Sequence, residues 1–492
     1  MVAAIFKVVN ERNFFLGVYQ MAGGLMQLVA YGAQDVYLTG NPKVTFFQAV
    51  YKRHTNFAME AIQQTINGTA ANSQRISVTI ARNGDLVGYM YAQIQPADWV
   101  LGASPAALGQ TPNLTSNNVT TDGCWVSERA FTAIELSIGG QRIDKHYQAW
   151  WRLYAEMFLS DENKVQYNKM SSVCNNATSA SKPSNVVYLP LLFFFNRNPG
   201  LYLPLIALQY HEVRLDIDCS INYANWFGTN QPIIWANYVF LDTEERRRFA
   251  KNGHEYLIEQ VQHTGGDSLT AGESSPATIR LSFNHPVKEL IFAYQNSGYA
   301  GISQPNALWN FSSNCANVQV TTDLALLTSS NSFIRTTESG SPQIVLLAGT
   351  VKSGSATLSG AGSQTLGLVE DGAAGPNLEV GPLYQFKLIL NGQDRFKEQY
   401  GKYFNQVQSW YHHTGNPYPG IYCYSFALHP EEHQPTGTCN FSRIDNAQVQ
   451  VWLKSPGGST ANTDATKIQK LFAVNYNILR IQSGMGGLAF SN

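Results

Sequence analysis

One strand-and-turn pattern occurs twice in this chain, and that duplication constrains the fold more than any other feature. Glu135-Leu-Ser-Ile-Gly-Gly-Gln141 lines up with Lys387-Leu-Ile-Leu-Asn-Gly-Gln393, an offset of 252 residues (135 to 387). In both, a strand runs into Gly-Gly or Asn-Gly, dipeptides suited to a tight hairpin turn. Ile76-x-Val78-x-Ile80 lines up with Ile279-x-Leu281-x-Phe283, an offset of 203 (76 to 279). Offsets of 252 and 203 differ by 49, so the second copy carries extra sequence between its markers, in a segment from about 296 to 382.

The repeated material is strand-like. Arg75–Ile80, residues 131–138, Val213–Asp218 and Val449–Leu453 alternate polar and apolar side chains, as half-buried antiparallel strands do. Many short strands separated by Gly, Pro and Asn turns point to sandwiches. Two tandem β-sandwiches, joined near 240–255 with the second starting around His254, follow from the repeat alone. Helical signals are few. Residues 144–159 place Tyr147, Trp150, Trp151, Tyr154 and Phe158 at 3–4 spacing, with Asp144 as the expected cap, and residues 242–250 have Asp242 as N-cap with Glu245 in a capping-box position. The 296–382 segment is rich in Ser, Gly, Thr and Ala but holds strand-like pieces such as Gln343-Ile-Val-Leu-Leu, so a partly ordered outer loop is expected.

Composition narrows the function. Charged residues make up 14% of the chain, against roughly 25% in an ordinary globular protein. Such a surface packs and hydrogen-bonds rather than steering charged ligands. The net charge of -1 leaves no basic face to neutralise phosphates, so no direct nucleic-acid contact is expected. The basic run Arg246-Arg247-Arg248 follows Glu244 and Glu245 and reads as self-neutralising. Six scattered cysteines, with no CxxC pair, read as mostly free thiols of a reducing compartment. Whether Cys423 and Cys439 meet across neighbouring strands stays open. No apolar run reaches the roughly 18–20 residues of a membrane span. The opening stretch, interrupted by Lys7 and by Asn10 to Asn13, is a poor signal peptide, so an intracellular product is expected.

Motifs of chemistry are weak. His429-Pro-Glu-Glu-His433 matches H-x-x-E-H, which binds zinc when both histidines share one helical face. Pro430 and Pro435 leave room for barely one turn, and a surface turn is the expectation. His412-His413 beside Trp410 and Tyr411 reads as an aromatic strand end and loop. There is no G-x-x-x-x-G-K phosphate loop and no G-x-S-x-G elbow. No metal, cofactor or catalytic residue is expected.

Several blocks carry a family resemblance. They include Ala30-Tyr-Gly-Ala-Gln-Asp-Val-Tyr-Leu-Thr-Gly-Asn-Pro42, Ile138-Gly-Gly-Gln-Arg-Ile-Asp-Lys-His146 and Leu203-Pro-Leu-Ile-Ala-Leu-Gln-Tyr-His-Glu212. Phe240-Leu-Asp-Thr-Glu244, Leu390-Asn-Gly-Gln-Asp-Arg395, Gly437-Thr-Cys-Asn-Phe-Ser-Arg-Ile-Asp445 and the tail Ser483-Gly-Met-Gly-Gly-Leu488 belong with them. Over residues 21–492 the chain resembles the major capsid proteins of nucleocytoplasmic large double-stranded DNA viruses, above all those of chlorella-type phycodnaviruses.

The resemblance implies an all-β fold of two tandem eight-stranded jelly rolls, a homotrimeric pseudo-hexagonal capsomer, and an icosahedral shell assembled in the host cytoplasm. It implies self-association, minor capsid proteins as partners and an inner viral membrane beneath. The organisation it suggests is an extension and inner-face segment over 1–44, a first jelly roll over 45–240, a linker over 241–253 and a second jelly roll over 254–492. Gly23, Gly24, Leu25, Leu28, Tyr31, Asp35 and Tyr37 are the candidate inner-face assembly residues. Relatives usually begin at the equivalent of Met21, so either translation starts there or residues 1–20 form an inner-face arm. Six N-x-[ST] sequences occur, and Asn310, in the long segment, is the candidate glycosylation site. An assembly scaffold of the same fold and a glycan-binding β-sandwich are the alternative readings.

Overall fold

The computed structural model describes most of residues 51–96, 125–171, 186–296, 382–453 and 466–490, four short strands between 332 and 366, and Gly32, Ala33 and Phe47. The chain divides into a unit Met1–Asn56 and a unit Phe57–Asn492; all elements below belong to the second.

The framework strands of the first sandwich are β1 (Phe57–Gln64), β2 (Arg75–Thr79), β3 (Leu86–Ile94), β4 (Phe131–Ile138), β5 (Gln141–Tyr147), β6 (Val187–Pro190), β7 (Val213–Cys219) and β8 (Ile233–Leu241). Those of the second are β9 (His254–Thr264), β10 (Ala277–Leu281), β11 (Pro286–Asn296), β12 (Leu383–Leu390), β13 (Gln393–Asp394), β14 (Ile421–Ser425), β15 (Ala447–Leu453) and β16 (Thr466–Gln482). The first sandwich pairs them as β1-β8-β3-β6 and β2-β7-β4-β5, the second as β9-β16-β11-β14 and β10-β15-β12-β13. Every strand of the second half thus stands where the strand eight numbers earlier stands in the first. Two four-stranded antiparallel sheets in this order make a jelly roll.

The sequence markers fall on equivalent strands: Ile76 on β2 and Ile279 on β10, Glu135 on β4 and Lys387 on β12. Both hairpins carry two consecutive positive-φ residues, Gly139 (58°) and Gly140 (82°), then Asn391 (49°) and Gly392 (78°). That backbone matches the right-handed strand twist. The first copy needs glycine at 139 for a second reason: a Cβ there would fall 2.4 Å from His211 Nδ1.

Each sandwich has its own apolar interior. Ile76, Val78, Ile134, Leu136, Leu215 and Ile217 contribute to the first, and Ile279, Leu281, Phe292, Phe386, Leu388 and Val449 to the second. The β9-β16-β11-β14 sheet is buried on both faces. Its Leu290, Phe292, Tyr422, Tyr424, Leu471 and Ala473 point into the second interior. The alternating Ile291, Ala293, Ile421, Cys423, Phe472 and Val474 join the core of the first sandwich. Hence β11 reads as the unbroken run Leu-Ile-Phe-Ala-Tyr, the pattern of a sheet covered on both sides.

Among the described residues three longer helices decorate the framework: α1 (Gln148–Phe158), α2 (Asp161–Ser171) and α3 (Thr243–Lys251). The expected start of α1 is corrected. Residues 141–147 extend strand β5, and Tyr147, without a side-chain cap bond, precedes the helix. Asp144 instead accepts backbone N–H bonds from Lys145 and Val261. In α3 the Asp242 carboxylate accepts from the N–H of Thr243 at 2.8 Å, with Glu244 and Glu245 in the first turn and Arg248 and Lys251 in the last, complementing the helix dipole. Arg246 pairs with Asp85 at 2.9 Å and Arg247 with Glu244 at 3.1 Å, so two of the three arginines in that run have carboxylate partners. Within the long segment, Ser332–Thr336 pairs with Pro342–Leu346 and Gly354–Ala356 with Gln364–Leu366. No helix among the described residues is long and apolar enough to cross a membrane.

Candidate functional site

The seam between the two sandwiches holds an aromatic centre and two buried charge clusters. Its apolar centre is aromatic. The ring of Phe472 on β16 stacks on His263 of β9 (centroids 4.3 Å apart) and lies 5.4 Å from Trp150 of α1 and 6.3 Å from Tyr147. At the end of α1, Phe158 meets His413 edge-on at 5.4 Å. Gly415 packs so closely there that a Cβ would sit 2.6 Å from the Leu159 carbonyl oxygen.

Polar bonds fix the register across the seam. The N–H of Val261 donates to Asp144 Oδ1 at 3.1 Å, and Gln260 Nε2 donates to the Ile143 carbonyl. The tail hairpin from β16 to β17 (Met485–Leu488) reaches back to the first sandwich. Tyr210 N–H donates to the Gly484 carbonyl at 3.0 Å, and Leu488 N–H donates to Gln141 Oε1 at 3.1 Å. Ser483 and Gly484 form its turn at φ 53° and 81°. The tail glycines have a steric cause: a Cβ on Gly486 would lie 2.7 Å from Leu208 and 3.3 Å from Ile138.

Two charge clusters flank the aromatics. Glu259 of β9 meets Lys288 Nζ at 2.6 Å, Arg197 of the first sandwich at 3.0 Å and His433 Nδ1 at 3.8 Å. Burial alone would raise the Glu259 carboxyl; Arg197, His433 and Lys288 outweigh it and hold the group well below the usual carboxylate range. In the second cluster, fully buried His413 lies between Glu289 (3.0 Å) and Glu431 (3.3 Å). The ring nitrogens lack aligned hydrogen bonds to these oxygens, so the contact is a charge pair. Burial alone would lower the imidazole; Glu289, helped by Cys423, raises it well above its ordinary value. Intact buried pairs add little net stability, but stranding one partner costs about 3–5 kcal/mol. Arg197, the first-sandwich partner of Glu259, therefore penalises any other docking of one sandwich on the other.

A third network anchors α1 within its own sandwich. Arg152 bridges Glu128 (3.5 Å) and Glu156 (2.9 Å) over the Trp125 ring, and the Tyr167 hydroxyl donates to Glu128 at 2.6 Å. Burial raises the Glu128 carboxyl despite Arg152.

The H-x-x-E-H match is part of this seam and not a helix. Residues 430–433 are turns and bends; His433 turns to Glu259, whereas Glu431 turns to His413 and accepts from Thr414 N–H at 2.9 Å. The expected strand end at 410–413 is also corrected. A π turn (Tyr403–Val407) continues into a helical turn (Gln408–His412), and His413 follows it. Cys423 and Cys439 are free. They pair with Ile291 and Val287 of the same strand, roughly 13 Å apart along it at about 3.3 Å per residue. Gly23, Gly24, Leu25, Leu28, Tyr31, Asp35, Tyr37 and Asn310 lie outside the described residues. Sequence reasoning missed Arg197, Glu259, Lys288 and Glu289. The available signal was charge inside apolar strands, Lys288-Glu289 directly before Leu290-Ile-Phe.

Comparison with known proteins then places the chain. Residues 45–242 match the family model described as "Major capsid protein N-terminus", and residues 245–487 match "Large eukaryotic DNA virus major capsid protein". The chain is 41% identical to the major capsid protein of Paramecium bursaria Chlorella virus 1 and 40% identical to that of Phaeocystis pouchetii virus, in each case over 96% of this chain and 100% of the relative. A PBCV-1 capsid structure superposes with a TM-score of 0.67 at 35% identity, covering 91% of this chain and all of that one. The Faustovirus major capsid protein, at 13% identity and a TM-score of 0.61 over 92% of this chain and 94% of that one, shares the fold.

Proposed function

Because the chain belongs to the major capsid protein family of large eukaryotic DNA viruses, and so forms part of a virion capsid, we propose that three copies close into a pseudo-hexagonal capsomer that tiles an icosahedral shell. The observation that carries this reading is the doubled jelly roll with its locked seam. Three chains of two equivalent sandwiches present six similar walls, so a trimer fits a six-neighbour lattice site. A closed cyclic interface of this kind is the common solution for homo-oligomers. The role is structural, with no catalytic step and no cofactor.

The remaining parts of the reading concern organisation and partners. Residues 1–44 act as an extension and inner-face segment, 45–240 and 254–492 as the two jelly-roll domains, and 241–253 as the linker; family matches over 45–242 and 245–487 support the division. Gly23, Gly24, Leu25, Leu28, Tyr31, Asp35 and Tyr37 contact minor capsid proteins or the inner-membrane side during assembly in the host cytoplasm. Asn310 is the candidate for sugar on the outer loops.

Light scattering on the purified protein tests the trimer. A mass about three times 54.4 kDa is expected, and a monomer at micromolar concentration overturns it. Deleting residues 22–40 should leave that mass unchanged while abolishing shell formation; normal particles from the deletion refute the inner-face role.

A further inference from the structure

Equivalent elements of the two sandwiches are treated differently within one chain. In the first, α1 runs between β5 and β6; in the second, the helical segment 403–412 runs between β13 and β14. The aromatic side of α1 (Trp150, Tyr154, Phe158, with Tyr147 just before it) faces the outer surface of β9-β16-β11-β14, where Ile291, Phe472 and Cys423 are fully buried.

Among the described residues the other copies of both surfaces are bare in part: Tyr202, together with Phe249 of α3, covers Leu86, Val239 and Leu241 at one end of the β1-β8-β3-β6 face, and beyond them it carries half-buried or exposed side chains. Segment 403–412 buries Phe404, Asn405, Gln408 and Ser409. Its opposite side shows Val407, Trp410 and Tyr411, which share one helical face and are 40%, 82% and 71% exposed. On the first sandwich, the outer surface of β1-β8-β3-β6 carries Tyr91 opposite Trp235, with Tyr188 beside Tyr91 at 5.9 Å. Met59 and Tyr89 on the same surface are 43% and 46% exposed.

We infer that these two bare surfaces meet between chains: segment 403–412 of one copy lies on the β1-β8-β3-β6 face of the next, repeating between chains the packing that α1 makes within one. The inference rests on the trimer proposed above and names its contact. The occupant is a second copy because the chain already contains this interface once, with the equivalent helix on the equivalent sheet. A head-to-tail contact of unlike surfaces closes into a ring when the rotation permits. The chemistry is suited to it. Trp and Tyr dominate the energetic centres of interfaces, and the bare sheet face is neutral, with the Trp235 indole donating to Gln93 at 2.8 Å. The ionic clusters of Glu259 and Glu289 belong to the internal seam only.

The test places the photoreactive residue p-benzoylphenylalanine at position 410 of the full chain, a site exposed enough to leave folding intact. Illumination should give a two-chain product on a denaturing gel, with the adduct on residues 57–63, 89–93, 188 or 235. Adducts on any other surface, adducts within the same chain on residues 1–56, or no adduct overturn the inference. As a second arm, Trp410→Glu with Tyr411→Glu should lower the trimer population at least tenfold with circular dichroism unchanged. An undiminished trimer overturns the inference and leaves the trimer reading standing. A monomeric wild-type chain in the same runs sinks the trimer reading itself.

Discussion

Truncating Phe472 asks whether the seam is a core or only a contact between two finished domains. The side chain is fully buried yet lies outside the interior of its own sandwich, against His263, Trp150 and Tyr147. Phe292 is its natural comparison: it sits on the inward face of the adjacent strand β11, stacked 4.5 Å from Phe386 and 5.6 Å from Tyr422. If both faces of that sheet are core, Phe472→Ala and Phe292→Ala each cost about 3–5 kcal/mol. About 0.5–1.5 kcal/mol of the Phe472 loss should appear as coupling to Trp150→Ala in a double-mutant cycle, from ring-on-ring packing. Trp410→Ala, a change at an exposed position, should stay within about 0.5 kcal/mol for the single chain. Urea unfolding at a protein concentration low enough to keep the chain monomeric, followed by tryptophan fluorescence and far-ultraviolet circular dichroism, measures all four, since association makes stability concentration-dependent. A Phe472→Ala loss below about 1 kcal/mol refutes the reasoning. So does wild-type unfolding in two separate steps, because the sandwiches would then be independent bodies that merely touch.

Other consequences are as direct. His413 is held above its ordinary pKa in the fold, so its contribution is fully present below about pH 6.5 and is lost as the pH rises through the raised value; His413→Gln should flatten the fall in melting temperature on the alkaline side of about pH 6.5. Glu259, held low, acts in the opposite window: its contribution is present above its unfolded value and lost on acidification, and Glu259→Gln should weaken the acid dependence. Gly486→Ala forces a methyl against Leu208 and should cost about 1–3 kcal/mol, read as faster amide exchange in 483–488; unchanged exchange would falsify the close packing of the tail. Thiol titration of the unfolded, unreduced chain should find Cys423 and Cys439 both reactive, and metal analysis should find no stoichiometric zinc at His429 and His433.

How much was legible depends on how many faces of an element are covered. The hairpins at 138–141 and 390–393 could be read directly, because their turn geometry is local and demands Gly or Asn. So could β2, β7 and β15, each alternating between interior and exterior. Strands β11 and β16 could not, since a sheet buried on both faces loses its alternation. Asp144 looked like a helix cap because carboxylates prefer that place; a long-range bond from Val261 overrode the local preference. The stretch 429–433 read as a surface turn despite its match to a zinc motif, and only the fold reveals that Glu259 takes His433 while Glu289 and Glu431 hold His413.

Strand β16 lies between β9 and β11, so the last framework strand to be synthesised completes the middle of a sheet begun some two hundred residues earlier. A chain cut before Thr466 would have a split second sandwich, with β9 unpaired and β11 paired on one edge only, and would lack Phe472 and Val474 from the core of the first. Such a product cannot offer the second set of walls, and its open strand edges invite aggregation. The strand order thus works as an inspection of length: only chains read through to the tail become building blocks, and a shell of many identical parts is screened for incomplete ones before the first contact is made.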